Sequence, residues 1–339
     1  MSRDIDLLFA TPDHHFLSFD GDMAIFLPMD RLAYHRSAFL DGRAAALPGT
    51  PLRMSLDPLL DKAREHQSPR IGWIFHIARC GSTLLSRLID GDDGNLVLRE
   101  PPPLRQVGLE AAMAGRERWH DRLLLAHAMA ARRYVPNRPT VVKANVPVNF
   151  ILEDIRQLDP EAPSILLHFA LEPYLLAILR APPHRIWVER ITDQLAARLA
   201  ERIGLMDGAT IAQRAVALWL AQMLAFASLL ELNPGGSRSL DANQLFASPA
   251  ATTEAAALHL GIAGLDIEAN VSALATSYAK DMAKPFDEGL RRQREADDRR
   301  RLEPELTEAR QWLDQCAAAR QLPERLSHPL IGEAPVLLG

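Results

Sequence analysis

Short apolar runs alternate with helical patterns through the middle of this 339-residue chain, from about residue 68 to residue 280. The runs are short and largely apolar, which is typical of strands covered on both faces. Strands that alternate with helices favour a parallel sheet with helices on either side, a three-layer α/β fold. The predicted strands are Arg70–Ile77, Leu96–Arg99, Pro139–Ala144, Ser164–Phe169 and Ser237–Asp241.

The two ends of the chain differ from this middle, which predicts a division into three parts. Residues 1–65 form an N-terminal arm with two strand-like runs around Asp20-Gly21-Asp22, a hairpin signal. Residues 66–284 form the α/β core, and residues 285–339 form a C-terminal tail of helices dense in mixed charge. Helical patterns in the core cover Thr83–Ile89, Gln106–Arg133, Val148–Leu158 and residues 186–232.

Composition excludes several classes of protein. A formal net charge of −5 gives no reason to expect a nucleic-acid partner. The chain has two distant cysteines, Cys80 and Cys316, which favours reduced thiols over a disulfide framework. The first residues lack a basic segment that leads into an apolar one, so no secretory signal is predicted and a cytoplasmic location is expected. Oligomeric state cannot be deduced from the sequence.

One segment raises the question of a membrane. Ala215–Leu230 contains 16 consecutive uncharged residues. A helix of that length covers about 24 Å, less than the roughly 30 Å hydrocarbon layer of a bilayer. Since it is apolar on nearly every side, we expect a helix buried in a large core and no contact with a membrane.

The turn after the first core strand carries an unusual set of residues. An apolar run ends in Arg79-Cys80-Gly81-Ser82-Thr83, and a helical pattern follows directly. A glycine lets the backbone approach a ligand closely, hydroxyls donate hydrogen bonds, and a guanidinium matches the geometry of tetrahedral oxyanions. Backbone N–H groups at the start of a helix also favour an anion. The turn therefore predicts a site for phosphate or sulfate.

Spacing narrows the kind of anion site. A Walker A loop requires a lysine after its second glycine, and none follows Gly81. The strand pattern around Ser164–Phe169 also lacks the aspartate that a nucleotide kinase needs for magnesium. A tyrosine-phosphatase loop has five residues between its cysteine and its arginine, whereas six separate Cys80 from Arg87.

The segment "FHIARCGSTLLSRLI" resembles the 5′-phosphosulfate loop of sulfotransferases that use 3′-phosphoadenosine 5′-phosphosulfate (PAPS), of the bacterial and tyrosylprotein type. That family has R-S-G-T-T-L, and the resemblance extends over roughly residues 68 to 280. It implies a P-loop-type α/β core that binds PAPS or its product PAP. The residues that it assigns to the cofactor are Arg79, Cys80, Gly81, Ser82, Thr83 and Leu84.

Later segments agree with this resemblance. In "LREP", Glu100 follows Arg79 by 21 residues, about where the tyrosylprotein enzymes have their catalytic glutamate. "VVKANVPVNFILEDI" resembles the family's strand with a terminal lysine, here Lys143. The resemblance thus implies three catalytic residues, with Glu100 as general base and with Arg79 and Lys143 stabilising charge. The alternative for Glu100 is a surface pair with Arg99 or Arg105 and no catalytic role.

One segment departs from the family. Its members hold the 3′-phosphate with an arginine at the end of the strand that matches Ser164–Phe169 and with a serine eight residues later. Here those positions are Phe169 and Ala177, or Leu171 and Leu179 in the other alignment. Whether another residue takes over that role is left open, and the candidates are His168, Arg180 and Arg185.

The sequence therefore predicts transfer of a sulfuryl group from PAPS to a hydroxyl or amine of a small-molecule acceptor. No metal is required by this scheme, and no ligand cluster is seen. Two other classes stay open. One is a non-enzymatic protein that keeps the anion loop, and the other is a transferase that uses a different phosphorylated donor. The acceptor cannot be identified from the sequence.

Overall fold

The structure, a computed structural model, describes residues 2–91, 94–113, 119–204, 206–275 and 288–338. Its strands are β1 (His14–Asp20), β2 (Met23–Pro28), β3 (Leu52–Ser55), β4 (Ile71–His76), β5 (Leu96–Arg99), β6 (Thr140–Lys143), β7 (Ser164–His168) and β8 (Ser237–Asp241). The last five coincide with the five predicted core strands to within one residue at each end, which confirms them.

Helices precede, connect and follow these strands. In the arm they are α1 (Ser2–Ala10), α2 (Arg31–Arg36) and α3 (Leu56–Glu65). In the core and tail they are α4 (Ser82–Leu88), α5 (Pro102–Met113), α6 (Trp119–Ala130), α7 (Leu152–Leu158), α8 (Leu171–Leu179), α9 (Pro182–Gln194), α10 (Ala196–Ile203), α11 (Ile211–Leu232), α12 (Ala242–Ala247), α13 (Pro249–Leu260), α14 (Ile267–Ala275) and α15 (Glu288–Gln315). Short 3₁₀ helices occupy Val146–Phe150 and Ala317–Gln321.

The five core strands form one parallel sheet in the order β5-β6-β4-β7-β8. From the central strand β4 the chain first builds one half of the sheet, β5 and β6, and then the other half, β7 and β8. In open parallel sheets, ligands bind at the carboxyl ends of the strands where the order reverses in this way. The loop after β4 lies at that point.

Helices cover both faces of the sheet, as neighbouring residues of β4 show. Gly72 faces α13, because a Cβ atom on it would lie 3.2 Å from Leu260. Trp73, the next residue, points to the opposite face, where its ring lies 6.2 Å from the ring of His127 in α6. The predicted three-layer α/β fold is therefore confirmed.

Helix α11 contains the uncharged segment that raised the question of a membrane. It is long and apolar enough to cross one, but 72% of its most apolar window is buried inside the protein. The indole of Trp219 is fully buried and donates a hydrogen bond to the Phe169 carbonyl at 3.0 Å. The prediction of a buried core helix is confirmed.

The N-terminal arm is larger than its sequence indicates. The predicted hairpin is present, with Gly21 at φ 58° between β1 and β2, and β3 adds a third antiparallel strand. One hydrophobic cluster runs from Phe16 in the arm through the core to Leu306 in α15. The division into three parts stays a prediction, and the packing between those parts is continuous.

The C-terminal tail is helical only in its first half. Helix α15 buries one narrow face, as predicted, through Leu302, Leu306, Ala309 and Leu313. Residues 322–338 are mostly irregular and contain three prolines, which removes the backbone donors that a helix needs. This segment lies along β8, where Ser239 donates to the carbonyl of His328 at 3.0 Å and Leu330 donates to the carbonyl of Ser239 at 2.8 Å.

The arm is fastened to the core by Arg99, the last residue of β5. Its fully buried guanidinium donates hydrogen bonds to the carboxylate of Asp90 and to the carbonyls of Tyr34 (3.2 Å) and Ser37 (3.0 Å). Three elements, α2, the segment after α4 and β5, thus meet on one side chain. An arginine can do this because it presents five donors in a fixed geometry.

We expect Arg99→Met to destabilise the protein by about 3–5 kcal/mol, because it leaves Asp90 as a buried charge without its arginine. The control is Arg300→Met, which removes an exposed i,i+3 pair with Asp297 and should cost less than about 1 kcal/mol. Urea unfolding of both variants makes the comparison. Equal midpoints for the two would show that Arg99 does not fasten the arm.

Candidate functional site

The predicted anion loop lies between β4 and α4. Gly81 has φ 84°, in the left-handed region that suits glycine. Arg79 also has a positive φ, 68°, which is uncommon for a residue with a side chain, and its side chain is exposed. Ser82 and Thr83 are buried at the start of α4, and Leu84 packs partly against the core.

Cys80 differs from the other residues of the loop in the direction of its side chain. The thiol is fully buried and donates to the carbonyl of Ile77 at 2.9 Å, with the carbonyl of Leu167 at 3.6 Å. It therefore points into the protein and helps to close the turn. Only the backbone of Cys80 is placed to contact a ligand on the loop.

Gly81 is covered from one side by an aromatic ring. A Cβ atom at this position would lie 2.8 Å from Cζ of Phe246, which is in α12. The sequence assigns Gly81 to close approach by a phosphate, whereas the atoms that approach it here belong to the protein itself. Glycine is required at this position both by its φ and by the Phe246 ring.

Lys143 brings two predicted site residues together. It is the last residue of β6, and its side chain is only 1% exposed. Its ammonium donates to the carboxylate of Glu100 and lies 3.4 Å from Oγ1 of Thr83 in the anion loop. The positive charge thus stands between the loop and the predicted general base.

Glu100 is held at this place by its backbone. Its N–H donates to the Lys143 carbonyl at 2.8 Å, which continues the pairing of β5 with β6 by one residue. Its φ is 58°, and Arg79, Glu100 and His328 are the three residues other than glycine with positive φ in the described ranges. Two of those three are predicted site residues. Such backbone conformations cost energy and often mark functional positions.

The carboxylate of Glu100 is connected to the anion loop through the Lys143 ammonium. A quarter of the Glu100 side chain is exposed. Nε2 of His76, the last residue of β4, lies 3.9 Å from Oε1 of Glu100. The surface pair with Arg99 is excluded, because Arg99 points to Asp90. Arg105, the other alternative partner, donates a hydrogen bond from its guanidinium to Gln194 at 2.9 Å. Burial lowers the pKa of Arg105, and the negative charge of Glu100 acts in the opposite direction.

The position that the resemblance assigns to a 3′-phosphate holds no suitable residue. Phe169, Leu171 and Leu179 are buried apolar side chains. At the start of α8, the N–H of Leu171 donates to the carbonyl of Leu337 at 2.8 Å. The carbonyl of Leu337, in the C-terminal tail, therefore takes up one backbone donor at the start of α8.

Of the three candidate residues for a 3′-phosphate contact, one is buried and neutral and another is already paired with a carboxylate. His168 is fully buried, and burial lowers its pKa to about 4, so it is neutral near pH 7. Arg185 makes a two-point ion pair with Glu305 of α15, at 2.6 and 2.7 Å. Arg180 is exposed at the end of α8, where its carbonyl accepts a hydrogen bond from Arg301.

The sequence did not identify two residues of the arm that reach this site. Cζ of Arg43 lies 4.1 Å from the ring centroid of Phe39, and Nζ of Lys143 lies 5.1 Å from the same centroid. Phe39 and Arg43 are in the segment between α2 and β3, which has no periodic pattern. Only the tertiary contact between arm and core reveals them. In the described part of the chain, no group of three His, Cys, Asp or Glu side chains gathers as a metal site.

Comparison with known proteins gives only distant likenesses. No family model and no curated protein matches the sequence. Three solved structures are similar at 14% identity: the sulfotransferase domain from the curacin biosynthetic pathway (TM-score 0.42, 60% of this chain and 77% of that chain), the sulfotransferase from Alicyclobacillus acidocaldarius (0.38, 70% and 96%) and the sulfotransferase STF1 from Mycobacterium tuberculosis H37Rv (0.42, 70% and 79%). Structures with such low TM-scores carry no argument about activity, so the function of this chain has to be argued from its own residues.

We expect Gly81→Ala to destabilise the protein more than Gly261→Ala does. Both glycines have left-handed φ, 84° and 72°, so both substitutions carry a backbone cost of about 1–2 kcal/mol. Only Gly81 faces a neighbour, Phe246, and overpacking there adds about 1–3 kcal/mol. Thermal unfolding of the two variants measures the difference. Equal losses would mean that Phe246 yields freely and does not cover the loop.

Proposed function

We propose that this protein transfers a sulfuryl group from PAPS, or from a close relative of that donor, to a hydroxyl or amine of a small-molecule acceptor. The observation that carries the proposal is the position of Lys143. Its ammonium joins the hydroxyl of Thr83 in the anion loop to the carboxylate of Glu100. An anion site, a buried cation and a partly exposed carboxylate therefore adjoin at the carboxyl end of the sheet.

This arrangement suits transfer of a charged tetrahedral group between two oxygens, which depends mainly on positioning and charge stabilisation. The donor would supply the activated sulfonate. Arg79 and the hydroxyl of Thr83 would hold its anionic oxygens, and Lys143 would neutralise charge that develops on the leaving group. Glu100 would take the proton from the acceptor, since its exposed edge is open to solvent.

The two ends of PAPS do not fit equally well. The phosphosulfate end fits the residues around Arg79, Thr83 and Lys143. The 3′-phosphate end does not, because the expected clamp positions are apolar and the start of α8 is covered by the tail. This mismatch is the specific reason to keep a donor without a 3′-phosphate as the second candidate, and an anion-binding protein without activity as the third.

We expect adenosine 3′,5′-bisphosphate to bind with less than a tenfold advantage over adenosine 5′-phosphate. A charged hydrogen bond contributes roughly 1.5–3 kcal/mol, or about one to two decades in affinity, and no such contact is built for the 3′-phosphate. Isothermal calorimetry with both nucleotides measures the ratio. Equal affinities would favour another donor, and a ratio above about a hundred would reveal a clamp that the structure lacks.

We expect Glu100→Gln to lower turnover by roughly 10²–10⁴-fold with little change in nucleotide affinity, because the substitution keeps the size and removes the basicity. The assay uses PAPS and a panel of phenols, alcohols and amines. Glu110→Gln is the matched control, since Glu110 of α5 pairs with Arg122 of α6 and not with Lys143. Full activity of the Glu100 variant would exclude the base assignment. A wild-type protein that binds nucleotide but acts on no acceptor would favour the binding-protein alternative.

A further inference from the structure

The arm reaches the proposed reaction site through residues 37–43, which we call the arm loop. It is anchored on both sides of Phe39. The carbonyl of Ser37 accepts from the Arg99 guanidinium at 3.0 Å, and the N–H of Leu40 donates to the Arg99 carbonyl at 3.0 Å. The carbonyl of Leu40 in turn contacts the ring of His15 at 3.0 Å. The arm loop is therefore fixed to the end of β5, directly before Glu100.

Phe39 occupies the interval between these anchors, and its ring meets Lys143. The ammonium lies 5.1 Å from the ring centroid, within the range of a cation–π contact. This ammonium donates to Glu100 and Thr83, and the Lys143 side chain is 1% exposed. A ring, a carboxylate and a hydroxyl thus surround one charge from three different elements of the fold.

We infer that Phe39 is a positioning residue: its ring keeps the Lys143 ammonium between the anion loop and Glu100. A lysine side chain is flexible, and a carboxylate alone would fix it at one point only. Besides Glu100 and the hydroxyl of Thr83, the ring adds a third contact that is attractive and apolar, so the ammonium is restrained without a further counter-ion. The catalytic consequence of this inference rests on the proposed function.

The arm loop also places a charged pair, Arg43 and Asp41, beside the ring. Arg43 stacks on the same ring at 4.1 Å, and its guanidinium pairs with Asp41. The Asp41 hydrogen bond raises the pKa of Arg43, and the nearby charge of Glu100 adds to this. Arg43 therefore remains a cation that is paired with Asp41, and the Phe39 ring contacts both this guanidinium and the Lys143 ammonium.

The first experiment observes Lys143 directly and needs no activity. The chain contains four lysines, Lys62, Lys143, Lys280 and Lys284, so NMR of lysine labelled with ¹³C at Cε gives few signals. Lys143→Arg assigns the signal of interest. An aromatic ring displaces the resonances of protons above its face. We expect the Lys143 signal to be displaced in the wild type and in Phe39→Tyr, and to return to the ordinary position in Phe39→Leu.

The second experiment measures turnover of the same variants. Phe39→Leu keeps an apolar side chain without the ring, and we expect kcat to fall about two- to thirtyfold while adenosine 5′-phosphate affinity is retained. Phe39→Tyr should recover most of the lost rate. Phe9→Leu is the matched control, because Phe9 is a buried ring of the same arm that contacts His66.

The outcomes separate this inference from the proposed function. A Lys143 signal that does not respond to Phe39→Leu overturns the inference. If the wild type is active, a Lys143 signal that responds to Phe39→Leu while the kcat of that variant stays unchanged also overturns it. If the wild type transfers sulfonate to no acceptor, the proposed function fails. In that case the NMR comparison still decides whether the ring holds Lys143.

Discussion

The site depends on one buried ammonium. A lysine that is almost inaccessible to water costs several kcal/mol unless it is paired and hydrogen-bonded. Lys143 is stabilised by the carboxylate of Glu100, the hydroxyl of Thr83 and the ring of Phe39. These residues come from three separate segments of the chain, so the arm, β5 and the start of α4 have to assemble around Lys143 together.

Sheet topology explains why these segments meet. β5 and β6 are parallel neighbours in register, with Arg99 opposite Lys143, and β4 lies on the other side of β6. Their carboxyl ends therefore place Glu100, Lys143 and the loop after β4 at one edge. Two residues there, Arg79 and Glu100, have left-handed backbone conformations. The surrounding hydrogen bonds and packing have to compensate for that local cost.

The opposite end of the proposed donor site has a different character. The positions where a PAPS donor would need a charged clamp hold apolar side chains, while His168 is buried and neutral and Arg185 is paired with Glu305. The C-terminal tail then adds Leu337 over the first turn of α8. The tail thus takes up one backbone donor at the start of α8, and the 3′-phosphate end of the proposed donor is the part that these residues fit least.

The strands of the core could be predicted from local sequence patterns. All five parallel strands were predicted, four of them from largely apolar runs, because strands covered on both faces are mostly apolar. The glycine, the hydroxyls and the arginine of the predicted anion loop were also visible as residue types, whereas the left-handed φ of Gly81 and its contact with Phe246 came from the structure. A helix with no charged residue over 16 positions predicted a buried core element.

Tertiary structure alone decided what surrounds the loop. The partner of Glu100 is Lys143, 43 residues away, and no local pattern shows that pairing. Phe39 and Phe246 lie in irregular or short segments, and they reach the site only because the arm and α12 fold over it. Contacts between distant segments depend on topology and packing, and the periodicity of a sequence records only which side of an element is buried.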